Sequence, residues 1–270
     1  MTEFKDRVVV VTGAANGLGK ALATEFFNQG CPLALIDIDF AGLQNLLAIL
    51  NRKGQLITIH QADISNEESV IKTRLEILDS HKQIDILVNN AGISISQYFE
   101  HIDLVDYKMI FDTNFWGTVY CTRHFLPDLK SQNDSRVVNI ISDFALMGFP
   151  GKTAYASSKS ATLGFTNALK TELADTNVKV CMVIPPPLDT GLVRNGKHID
   201  EKKRENEIRF MKRHELPLDK TSKKIVKQIT KGKFRIVIGP MMFCTDLISR
   251  LFPTLMHNII GKYKSRFEFI

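Results

Sequence analysis

Short apolar, largely β-branched runs alternate along this chain with longer stretches in which apolar residues recur every three to four positions. The runs at 7–12, 32–37 (PLALID), 55–63, 84–92, 136–142, 178–186 and 234–239 read as strands. The stretches at 17–29, 40–53, 66–81 and 153–175, and most of 103–130, read as helices, with Asn66 placed to cap the third. Strands that are apolar throughout and separated by helices predict an α/β fold, a parallel sheet covered on both faces.

Two segments depart from this rhythm. Residues 191–233 are polar, basic and helix-prone, and they follow the sixth strand. In a doubly wound sheet an insertion at a strand's carboxyl end lies over the ligand crevice, so this stretch is expected either to form a lid or to be a solvated surface helix. Residues 240–270 are apolar and basic by turns. Pro240 and Pro253 are placed to bracket a short helix carrying Met241, Met242, Leu247, Ile248 and Leu251, and Lys262, Lys264 and Arg266 alternate with Tyr263 and Phe267. Such a tail suits docking on its own or a partner subunit, closure over a lipophilic substrate, or a membrane interface.

A chain of 270 residues accommodates one large α/β domain, and no repeat or low-complexity linker divides it. Cys31, Cys121, Cys181 and Cys244 are widely spaced and form no CxxC, which argues against a disulfide framework or a zinc site and for a cytoplasmic setting. No secretory signal precedes the first strand, and no run of about 18 apolar residues predicts a membrane span. The net charge of +6 is uneven: residues 1–190 carry 16 Lys and Arg against 21 Asp and Glu, and residues 191–270 carry 19 against 8. The basic character thus belongs to the last third, where a membrane surface or a solvated face explains it as well as nucleic acid does.

The candidate chemistry lies in two motifs. Thr12-Gly13-Ala14-Ala15-Asn16-Gly17-Leu18-Gly19 leaves a strand and opens a helix, the context of a pyrophosphate cradle. Asp37 ends the second strand, where a carboxylate accepts both ribose hydroxyls of NAD and repels a 2′-phosphate. Asp63 and Asn89-Asn90-Ala91-Gly92 end the next two strands on the same edge, placed toward adenine and its ribose. Tyr155 and Lys159 stand four apart on one helix face, with Ser142 at the end of the fifth strand. An ammonium beside a phenol lowers its pKa, making Tyr155 a candidate acid/base, Lys159 its partner and ribose ligand, and Ser142 the donor that orients the reacting oxygen.

With TGAANGLG, Asp63, NNAG, NFWGTVYCTRHFLP, Ser142 and YASSK in place, residues 5–190 resemble the short-chain dehydrogenase/reductase family. The resemblance implies a single Rossmann-like domain around a seven-stranded parallel sheet, and homodimers or homotetramers. It implies that Asn114 organises a proton-relay water near Lys159. It also implies cofactor contacts from Gly13, Asn16, Gly17, Leu18, Gly19, Asp37, Asp63, Ile64, Asn90, Ala91, Gly92, Tyr155, Lys159, Pro185, Leu188 and Thr190. The chain departs from the family pattern at Pro186 and Ala145, where glycine is usual, and at Ile141, where a second serine is frequent.

These features predict an NAD(H)-dependent oxidoreductase interconverting a lipophilic secondary alcohol and its ketone, without a metal and without nucleic acid as partner. The alternatives are an NADPH-dependent ketoreductase acting on acyl or other carbonyl substrates, and a non-catalytic nucleotide-binding protein docked on membrane by its tail.

Overall fold

In the computed structural model, which describes residues 4–50, 54–188, 191–194, 196–198 and 200–264, the apolar runs form one parallel sheet. Its strands are β1 (Val9–Thr12), β2 (Leu33–Asp37), β3 (Ile57–Gln61), β4 (Ile86–Asn89), β6 (Ser135–Ile140), β7 (Val178–Ile184) and β9 (Arg235–Val237), in the order β3-β2-β1-β4-β6-β7-β9. Two short strands, β5 (Ile95–Ser96) and β8 (Lys197–His198), pair separately. The helices connecting the sheet are α1 (Gly17–Asn28), α2 (Phe40–Leu50), α3 (Glu67–His81), α4 (Leu104–Phe111), α5 (Gly117–Lys130), α6 (Thr153–Glu172) and α9 (Leu218–Thr230). A π-helical turn, Asp112–Trp116, joins α4 to α5. Beyond β7 lie α7 (Gly191–Arg194) and α8 (Glu201–His214), and beyond β9 lie α10 (Pro240–Leu251) and α11 (Pro253–Lys262).

The two-residue period of a strand divides its side chains between two cores. Val9, Val11, Leu33 and Leu35 pack with Leu22, Phe26, Leu43, Ile225 and Ile229 on one face, while Val10, Ala34, Ile36 and Leu87 pack with Ile77, Cys121, Phe125 and Leu169 on the other. Both faces are covered, so strands without polar alternation are stable here. The chain runs outward from β1 through β2 to β3 and then crosses to β4 on the other side of β1. That reversal opens a crevice at the carboxyl ends of β1 and β4, the ligand position in such sheets.

The predicted elements are present, with local differences. Asn66 caps α3 by accepting from the Ser69 N–H at 3.0 Å. Residues 103–130 are divided by the π turn. The 191–233 segment divides as well: α9 buries Ile225, Val226 and Ile229 in the main core and belongs to the framework, and only 191–214 stands apart. Its lysines mask an amphipathic helix whose apolar face is 225, 226 and 229. The two prolines each open a helix, α10 and α11. Among the described residues no helix is long and apolar enough to cross a membrane.

Candidate active site

The turn after β1 takes its shape from its glycines. Gly13 and Gly17 have positive φ (65° and 53°). A Cβ on Gly13 would sit 2.7 Å from the Ala91 Cα, and one on Gly19 would collide with the Gly13 carbonyl and the Asn90 side chain. Asn90 fixes the turn from across the crevice, its Nδ2 donating to the Thr12 and Gly13 carbonyls at 3.0 and 3.1 Å. The Thr12 hydroxyl accepts from the Asn90 and Ala91 N–H groups. Leu18 is buried beneath the cradle and anchors the first turn of α1. The opening N–H groups of α1, whose place at the helix start leaves them without an intrahelical acceptor, fit a pyrophosphate.

Asp37 stands beside the cradle at the end of β2, with Oδ2 accepting from the Ala15 N–H at 2.9 Å and Oδ1 from the Asp39 N–H at 3.0 Å. Each oxygen keeps a lone pair for a further donor. Asp39, which sequence reasoning passed over, accepts from the Gly42 N–H and the Asn16 side chain and adds a second carboxylate here. Asp63 is exposed and accepts from the Ser65 N–H and hydroxyl, capping its own turn. Ile64 is buried, and a Cβ on Gly117 would meet its side chain at 2.6 Å. Pro185 and Leu188 follow β7, with Leu188 in the main core. Thr190 lies outside the described residues.

The second group converges from β6, α6 and the π turn. Ser142 follows β6 by two residues, and its hydroxyl donates to Asp143 at 3.1 Å and accepts from the Phe144 N–H at 3.2 Å. Lys159 lies one turn beyond Tyr155, its ammonium donating to the Ile140 carbonyl at 3.0 Å. Asn114 occupies the π turn, fully buried, bonded to both backbone groups of Ile93 and to the Ser158 hydroxyl. A Cβ on Gly92 would lie 3.1 Å from Asn114 Oδ1 and 3.6 Å from Lys159 Nζ, so glycine lets these groups approach. Beneath them Asn89 donates to Asn139 at 2.8 Å and to Thr122 at 3.0 Å, and Asn139 donates to Thr166, fixing β4 and β6 to α5 and α6.

The electrostatics differ from the sequence expectation in one respect. Burial raises the Tyr155 pKa above the ordinary phenol value, opposed by the Ser142 hydrogen bond and reinforced by the charges of Asp143 and Glu207. Lys159 does not reverse this, because its ammonium is turned to the Ile140 carbonyl and is itself lowered by burial to about 8. Tyr155 is therefore the neutral phenol in this state. Asp143 is raised by burial despite bonds from Ser142 and the Phe144 N–H.

Two sets of residues around Tyr155 meet only in the fold. Phe144 packs edge-on against the Tyr155 ring, centroids 6.1 Å apart, and joins Phe149, Met147, Phe210, Met256 and Ile260 in an apolar cluster. This places residues from the loop after Ser142, from α8 and from α11 in one wall. Lys152, one turn before Tyr155, is fully buried and ion-paired with Glu207 of α8. Only the fold brings these positions together. Ile141, where the family often has serine, is buried against Met182 and Ile184.

The comparisons with known proteins identify the family. The family model for short chain dehydrogenases matches residues 7–200, so the chain belongs to the short-chain dehydrogenase family. A Mycobacterium tuberculosis protein named as the oxidoreductase SadH is 30% identical over 272 residues, covering 99% of this chain and 98% of the relative. A short-chain dehydrogenase/reductase from Burkholderia phymatum in complex with NAD superposes with a TM-score of 0.86 at 24% identity, over 96% of this chain and 98% of that one. The 3-ketoacyl-(acyl-carrier-protein) reductase from Brucella melitensis complexed with NADH superposes with a TM-score of 0.75 at 25% identity, over 87% and 97%. The chain is thus an oxidoreductase of the NAD(P)-dependent short-chain class.

Proposed function

We propose that this enzyme interconverts a lipophilic secondary alcohol and its ketone with NAD(H). The observation that carries the substrate class is the apolar wall that meets Tyr155 edge-on through Phe144, built from Phe144, Met147, Phe149, Phe210, Met256 and Ile260. Carboxylates at Asp37 and Asp39 beside the cradle support NAD(H) over NADP(H), because a 2′-phosphate would face two like charges.

The nicotinamide supplies the hydride acceptor or donor; the remaining work falls to the chain. In reduction the Tyr155 phenol gives its proton to the carbonyl oxygen as hydride reaches the carbon. In oxidation the phenolate takes the hydroxyl proton as hydride leaves. Ser142 orients that oxygen, Lys159 holds the ribose, and Asn114 organises the relay. Gly13, Asn16, Gly17, Leu18 and Gly19 receive the pyrophosphate. Asp37, Asp63, Ile64, Asn90, Ala91 and Gly92 hold the adenosine half, and Pro185, Leu188 and Thr190 the carboxamide end.

A fluorescence titration with NADH and with NADPH, followed by turnover on secondary alcohols of increasing chain length, tests this reading. NADH preference with kcat/KM rising along the series is expected. NADPH preference with turnover of acyl thioesters would favour the ketoreductase alternative, and binding without turnover a non-catalytic role.

The exposed faces suit assembly. Phe99, Leu104, Val105, Met109 and Trp116 stand out around α4, supporting a homodimer or homotetramer, which sedimentation analysis measures. Phe243, Leu247, Leu251, Phe252 and Leu255 are exposed on α10 and α11, supporting a peripheral membrane contact. Loss of vesicle co-sedimentation on deleting residues 241–270 is the expected result.

A further inference from the structure

Helix α8 is held to the molecule by a charge. Of its fourteen residues only Glu207 is buried, and Phe210, one turn on, is partly buried against Phe149. One Glu207 oxygen receives the Lys152 ammonium; the other accepts from the Ser96 hydroxyl at 2.6 Å and meets His198 Nε2 at 3.1 Å. Lys152 also donates to the Ser94 and Ser96 hydroxyls. Both side chains of the ion pair are 2% exposed. One carboxylate thus joins α8, β5, β8 and the residue that opens α6. Lys152 precedes Tyr155 by one helical turn, and its Nζ lies 5.9 Å from the Phe144 ring that packs on Tyr155.

A helix docked permanently would bury an apolar stripe, as α9 does with Ile225, Val226 and Ile229. A buried ion pair stabilises the docked state little beyond an apolar contact, because both charges are desolvated there, and in the undocked state the same groups are well hydrated. An ionic anchor therefore keeps the docked and open states close in free energy, as a segment that opens for substrate requires.

We propose that Glu207 is the clasp that holds α8 closed against the start of α6, a positioning residue acting on the reaction through Lys152. Only the kinetic part of the test below rests on the oxidoreductase reading. Hydrogen exchange is measured on the full chain without added cofactor. Glu207→Gln is expected to speed exchange in 201–214 by about tenfold or more while strands β1 and β6 stay unchanged. The apolar pair Lys152→Met/Glu207→Met is expected to slow it. With the alcohol that wild type turns over best, Glu207→Gln raises KM more than it lowers kcat, and the apolar pair lowers both because product leaves past a helix that opens less. Unchanged exchange in 201–214, or acceleration spread over the sheet, overturns the clasp. Should Glu207→Gln not fold, the apolar pair decides: slower exchange in 201–214 supports the clasp, and equal or faster exchange overturns it. A wild type that turns over no alcohol overturns the oxidoreductase reading, and the exchange data still decide the clasp.

Discussion

The sheet with its covering helices and the cap formed by α8, α10 and α11 are held together differently. In the first, strands contribute side chains to two apolar cores and the ligand groups sit on turns with their own short-range hydrogen bonds. In the cap, α8 is anchored by Glu207, and α10 buries Asp246, which accepts from Arg235 and Arg250, with Met242 beside it. Most of the cap's apolar residues face outward or toward Tyr155. The framework carries the candidate cofactor and proton-transfer residues, and the cap is attached largely by buried ion pairs.

The largest expected effect lies in the framework. Tyr155→Phe removes the proton donor and is expected to lower kcat by about 10²–10⁴-fold with NADH affinity almost intact, read by steady-state rates beside a fluorescence titration. Wild-type turnover in that variant would sink the mechanism. A smaller effect is expected at the cradle: Asp37→Ala should reduce the preference for NADH over NADPH by about tenfold or more, the scale of a hydrogen bond to a charged group. An unchanged ratio of dissociation constants would show that the carboxylate does not read the ribose.

The cap should answer to substrate alone. Phe210→Ala is expected to raise KM for the longest alcohol by about tenfold and to leave the shortest nearly unaffected, as loss of one aromatic from an apolar wall implies. Equal effects on both would break the division between framework and cap. The smallest effect is on acid stability. Burial raises the Glu207 pKa, but the bonds from His198, Lys152 and Ser96 and the charge of Lys152 outweigh it and lower it to about 2. The folded value lies below the ordinary 4.5, so the stability it contributes is present above 4.5 and is lost as pH falls toward about 2. Urea titrations between about pH 5 and pH 2 should show wild type losing more stability than Lys152→Met/Glu207→Met. Parallel losses would remove the charge of Glu207 from the account.

The cradle and the Tyr155–Lys159 pair were legible in the sequence because their chemistry is local. A glycine turn between a strand and a helix, or two residues one helical turn apart, has its geometry dictated by nearby backbone. The same locality misled for the Tyr155 pKa, since spacing places the ammonium within reach but not where it points, and burial is a property of the whole fold. Helix α9 was misassigned for a related reason: its lysines dominate its composition, while its buried face needs only three apolar residues.

By itself the sequence determined the alternation of strands and helices, the edge of the sheet at which the candidate ligand groups gather, and which side chains are candidates for the reaction, since hydrophobic period and turn chemistry act over a few residues. Only the tertiary structure decided that Lys152 meets Glu207 fifty-five residues away, that Phe144, Phe210 and Met256 share one wall, and that Tyr155 is a buried neutral phenol. Those outcomes depend on desolvation and on contacts between distant segments, and no short stretch of chain encodes them.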